Sequence, residues 1–176
     1  PDMSVLDRFG VDVLDVGRTF NAGASDWHPI KMVNGADAVY PVWFHPDQQP
    51  DGSFLTYDDD RKTVLSKMPV AATFFDQTYF PYADGYPADY KNLDAEMNRI
   101  MWARHAHSPW DHSGEPDFWQ QLRESTLQLR RNTDKALIVV CGCNLFEWGT
   151  FLRRMDTVLM DLMCDQDNVE KLRDEL

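Results

Sequence analysis

From Val11 to Val16 the chain reads VDVLDV, an alternation of apolar and acidic positions that predicts a β-strand, and Gly17 ends it. A short polar turn at Arg8 to Gly10 precedes this strand. Further on, AVYPVWF (Ala38 to Phe44) and SFLTY (Ser53 to Tyr57) flank a loop rich in Pro and Gln that closes on Asp51-Gly52. This pattern predicts a small β-hairpin, and Pro41 confines its strand to a sheet edge. The stretch TYFPYADGYPADY (Thr78 to Tyr90), with two prolines and five aromatics, reads as an irregular surface loop.

The second half has the longer helical period. Leu93, Met97, Ile100 and Met101 fall on one helical face, and Phe118, Trp119, Leu122 and Leu129 mark a helix from about Pro116 to Arg131. ALIVVC (Ala136 to Cys141) is a continuous apolar run, which predicts a strand buried on both faces of a parallel sheet. After Gly142-Cys143-Asn144, residues Trp148, Phe151, Leu152, Met155, Leu159, Leu162 and Met163 recur at three- and four-residue spacing and predict one long helix. Asp165 to Asn168 interrupts it, and Val169, Leu172 and Leu176 begin another. Helix, buried strand, helix is a repeating α/β unit.

Composition narrows the function classes. A chain of 176 residues, 43% hydrophobic, can bury one sizeable core. No apolar stretch approaches the ~20 residues of a membrane helix, so no membrane partner and a cytoplasmic location are expected. Three cysteines are too few for a disulfide scaffold, and reduced thiols are expected. The net charge of -12, with the 17 Lys and Arg scattered, argues against nucleic acid as a partner. The chain opens PDMSV and closes KLRDEL within an amphipathic pattern, so both ends are expected to be cut.

Two stretches carry candidate chemistry. WARHAHSPWDH places His105, His107 and His112 on a connector between helices, ahead of the amino end of a strand. Parallel α/β folds bind ligands beyond the carboxyl ends of strands, so these are expected to be surface histidines and Asp111 a turn residue. CGCNLFEWG (Cys141 to Gly149) leaves the carboxyl end of the buried strand, where Asn144 and Glu147 can face a ligand. GRTFN, at the end of the first strand, adds Arg18 for an anionic group and Asn21 beside it. The expected substrate-binding set is therefore Arg18, Asn21, Asn144 and Glu147, each equally readable as solvated loop or helix cap. Catalytic residues are not assigned, and no metal site is expected in this stretch of chain.

Several segments together resemble the uroporphyrinogen decarboxylase superfamily. Leu152-Arg153-Arg154-Met155-Asp156 is similar to its "L-x-G-hydrophobic-acidic" corner. Leu159-Met160-Asp161-Leu162 matches its "LMDL", and Asp165 to Val169 resembles "DP-x-x-V". FGVDVLDVG looks like the family's first strand, and Ser66 to Ala71 is similar to its "hPLA" step.

The resemblance implies a (β/α)8 TIM barrel, of which residues 1–176 would be a single incomplete domain, the N-terminal half, carrying the small β-hairpin as an insertion. It implies either decarboxylation of tetrapyrrole acetate arms or methyl transfer to and from corrinoid partners through a zinc-bound thiolate. The decarboxylases' aspartate would fall near Thr19 and their tyrosine near Thr150, so neither is matched. The methyltransferase branch needs neither residue. Its zinc ligands, a His-x-Cys pair and a later Cys, belong to the second half of the barrel. Zinc and a corrinoid are thus expected in the full-length protein and not in this segment, with a corrinoid protein or a tetrapyrrole-type small molecule as partner. The alternatives are a tetrapyrrole decarboxylase (a lyase) and a non-catalytic binding or assembly fragment forming a homo-oligomer.

Overall fold

The computed structural model describes residues 3–16, 24–32, 34–140 and 144–176. It is a mixed α/β structure that divides into two compact units, 1–24 with 107–142 and 25–106 with 143–176.

The first unit contains helix α1 (Met3–Arg8), strand β1 (Val13–Asp15), helix α4 (Phe118–Asn132) and strand β8 (Ala136–Ile138). β1 and β8 pair in parallel, with Leu14 opposite Leu137. Parallel neighbours need a crossover, and α4 leads directly into β8. Arg130, in the last turn of α4, donates to the carbonyls of Thr133 and Lys135 and so closes the exit from the helix. Lys135 then donates to the Val11 carbonyl at 2.7 Å and pairs with Asp7 at 3.1 Å, which fixes where the two strands start. The expectation of a doubly buried strand is corrected here. Among the described residues β8 has one neighbouring strand, and Ile138, Val139 and Val140 are 45–56% exposed.

The second unit holds two antiparallel sheets. β2 (Trp27–Lys31) pairs with β3 (Asp37–Pro41), and β4 (Asp47–Gln48), β5 (Phe54–Tyr57), β6 (Val64–Met68) and β7 (Asp76–Gln77) form a sheet in that order. The predicted hairpin partners are therefore wrong: β3 turns back onto β2, not onto β5. The reason is Asn34-Gly35, whose glycine has φ +82°, the left-handed geometry a tight reversal needs. β5 reaches β6 through a second turn, where Asp60 accepts from the backbone N–H groups of Lys62 and Thr63. Pro41 does sit on an edge, in a sheet of two strands.

Helices α2 (Leu93–Met97), α3 (Met101–His105), α5 (Leu145–Arg153), α6 (Met155–Cys164) and α7 (Gln166–Glu175) complete this unit. The long helix predicted over 148–163 is two helices, because Arg154 takes φ +74° and ψ 143° and turns the chain. The core consists of Tyr82, Leu93, Ile100, Leu152 and Leu172. The segment 78–90, expected on the surface, is thus irregular in backbone but buried in its rings. Tyr82 is 6% exposed, and Tyr86 and Tyr90 pack against the same cluster. Burying aromatic area at about 25 cal/mol per Å² is what holds a loop without regular hydrogen bonding in place. Among the described residues the three sheets are small and open, and no helix is long and apolar enough to cross a membrane.

Candidate functional site

Of the four residues singled out in the sequence, Arg18 and Asn21 lie outside the described residues, as do Cys141, Gly142 and Cys143. Asn144 and Glu147 are brought together at the start of α5. Asn144 occupies the N-cap position, yet its side chain makes no capping bond and instead donates through Nδ2 to Glu147 Oε2 at 2.5 Å. Glu147 stands at the third helical position, where the positive end of the helix favours a carboxylate. Both side chains are exposed. The pair presents an amide oxygen and a second carboxylate oxygen to an incoming group, and can accept hydrogen bonds from a polar ligand.

The histidines are not equivalent. His112 is exposed and bonds Glu115 through Nδ1 at 2.6 Å, and His107 is also exposed. Asp111 serves its own turn: its carboxylate accepts from the Ser108 N–H at 2.9 Å in a reciprocal capping arrangement. His105, expected on the surface, is partly buried at the end of α3. Its Nε2 lies 3.0 Å from Thr56 Oγ1 and 3.2 Å from Ser66 Oγ, and the two hydroxyls are 2.6 Å apart. The rings of Phe44 and Phe75 meet it edge-on at 4.8 and 5.3 Å. Burial among these rings pushes the imidazole pKa down to about 4.

A neutral imidazole of such low basicity is a poor general base at neutral pH, and Ser66 is fully buried. The cluster therefore pins α3 to β5 and β6 and does not offer a nucleophile to solvent. Its period in the sequence gave no hint of this, because Thr56 and Ser66 lie on strands whose pairing set their distance from His105.

Next to it, Asp58 is 7% exposed and takes hydrogen bonds from Arg99 Nε at 2.7 Å and Arg104 at 3.1 Å. Burial alone would raise the Asp58 pKa, but these guanidinium contacts and the Asp59 N–H outweigh it and hold the carboxyl below its ordinary value. A cleft of about 180 Å³ opens between this network and the aromatic wall of Trp43, Phe44 and Tyr57. A second, of about 320 Å³, is lined by His28, Tyr40, Phe44, His45 and Phe54. Among the described residues no three His, Cys, Asp or Glu side chains converge as a metal site.

Comparison with family models, with curated proteins and with solved structures yields no match to this chain.

Proposed function

We propose that the chain is the N-terminal part of a (β/α)8 enzyme of the uroporphyrinogen decarboxylase superfamily, from its corrinoid-dependent methyltransferase branch. The observation that carries this reading is the corner between α5 and α6. The family pattern has glycine at the place of Arg154, and Arg154 adopts φ +74° and ψ 143°, a conformation almost confined to glycine. The chain carries arginine where the pattern has glycine, so the support comes from a backbone conformation that suits the pattern's residue and not from a match of letters at this position. The parallel pairing of β1 with β8, with α4 leading into β8, agrees with the opening of such a barrel.

In this reading Asn144 and Glu147, with Arg18 and Asn21, bind substrate, and zinc is held by residues beyond Leu176. The bound metal would lower the pKa of a thiol and make it a methyl acceptor. The residues in hand would hold polar substrate groups by hydrogen bonds from Arg18 and to the Glu147 carboxylate. A corrinoid protein would be the partner, in the cytoplasm. The decarboxylase alternative gains no support from the acidic charge of the chain, since its substrate carries many carboxylates.

The test is to express the whole reading frame and incubate it with methylcobalamin, zinc and a thiol. Demethylation of the corrin, followed by its visible spectrum and lost on adding a chelator, is the expected result. No demethylation, together with decarboxylation of a uroporphyrinogen, would overturn the methyltransferase assignment.

A further inference from the structure

We propose that the outward face of α6 is a docking surface for a basic amphipathic helix of another protein. Val158 and Asp161 are the residues of α6 that turn inward, at 4% and 8% exposure. Round the helix from them, three- and four-residue spacing puts Met155, Leu159, Leu162 and Met163 in one stripe, with Met160 beside Met163. These five are 59, 50, 39, 79 and 66% exposed in that order. A contiguous apolar surface of this kind marks an interaction site, whereas single exposed apolar residues do not. The next helix shows the contrast: α7 turns Asp167, Glu170, Lys171, Asp174 and Glu175 to solvent and buries Leu172.

The form of the surface suits a helix. Ten residues of α6 give a stripe about 15 Å long, enough for two or three turns of a partner laid along it. Three of the five side chains are methionines, unbranched and polarizable, which repack readily around an incoming apolar ridge.

The charge beside the stripe selects the partner. At the start of α6, Asp156 is already paired with Arg154 at 3.1 Å. On α7, Arg173 is taken by Asp174 at 2.7 Å, which leaves Lys171 against the exposed carboxylates of Asp167, Glu170 and Glu175. The surface is therefore apolar with an acidic border. A helix with apolar residues three and four apart, flanked by Lys or Arg, complements both parts. A second copy would bring two acidic borders together in a chain of net charge -12, and an anionic lipid surface would be repelled as well.

The experiment is a titration of the 176-residue chain with a synthetic amphipathic helix of leucine and lysine, and with its leucine and glutamate counterpart, followed by methionine methyl NMR. The lysine peptide should displace the Met155, Met160 and Met163 signals and leave that of the buried Met68 in place. The glutamate peptide should move none of them. Replacing both Leu159 and Met163 with Gln, at exposed positions that the fold does not depend on, should weaken binding about tenfold, and raising the salt should weaken it as well. Stationary signals at millimolar lysine peptide, or equal displacement by both peptides, would overturn the proposal. Signals that shift on dilution of the chain alone would give the face to a second copy. Displacement in the 176-residue chain but not in the product of the whole reading frame would give it to later residues of the same chain, and either result would also overturn the assignment to a basic partner.

Discussion

Arg153 Nε donates to Asp161 Oδ2 at 2.8 Å across the bend between α5 and α6, and both side chains are nearly buried, at 13% and 12% exposure. The guanidinium also donates to the carbonyls of Tyr82 and Ala83 and lies 4.7 Å over the Tyr86 ring, whose hydroxyl donates to the same Asp161 oxygen. One ion pair thus ties two helices to the aromatic loop, and burial, with Asp161, pushes the Tyr86 pKa up to about 12. Removing one partner strands the other charge. Asp161→Ala should cost about 3 kcal/mol in urea unfolding, and Asp161→Asn less, because it keeps an acceptor. Equal losses from both would count against the charge pairing.

Arg154 is held in a conformation that costs a non-glycine residue about 1–3 kcal/mol. Its exposed pair with Asp156 returns only a few tenths of that. Arg154→Gly should raise stability by about 1 kcal/mol after the greater chain entropy of glycine when unfolded is counted. Arg154→Ala keeps the Cβ and should gain nothing. A glycine variant that melts lower than the parent would contradict the strain.

How much of this was legible in the sequence differs from element to element. The three-to-four period placed α4 within two residues, because one face of a helix must meet the core whatever else surrounds it. The same period ran unbroken through Arg154, since a bend made by backbone dihedrals leaves no mark on apolar spacing. The pairing of β3 was readable in Asn34-Gly35, a turn signal overshadowed by the Pro-rich loop downstream. Five aromatics in thirteen residues were themselves a sign of burial in the 78–90 segment. Asn144 and Glu147 could be paired from their three-residue spacing on a helix. Nothing local could have placed His105 against Thr56, because that contact depends on the register of the sheet.

His105 makes stability depend on pH. Its folded pKa of about 4 lies below the ordinary histidine value of 6.5. The unfolded chain therefore takes up a proton first, and the contribution is complete above pH 6.5 and lost as pH falls toward 4. Allowing for the ring's partial exposure, the loss is on the order of 1–2 kcal/mol. Asp58, whose folded pKa is lowered, adds a loss in the same direction at lower pH. His105→Asn should flatten the stability profile between pH 4 and 6.5 relative to the parent. An unchanged slope would show that the imidazole is not the group responsible.

Gln77 ties β7 to the helices by donating through Nε2 to the Phe151 and Tyr79 carbonyls at 2.6 and 2.7 Å. Gln77→Leu leaves both carbonyls without this donor and should cost about 1–3 kcal/mol. Amide hydrogen exchange should then speed up in the 78–82 segment, including the Tyr82 N–H that donates to Leu152. Exchange there at the parent's rate would contradict this role for Gln77.

The central claim, that residues 1–176 open a barrel whose zinc ligands lie further along, is tested most directly by sequencing the gene past Leu176. The account predicts a continuing reading frame with a His-x-Cys pair and a later Cys, each at the end of a predicted strand. A stop codon within a few residues would contradict it.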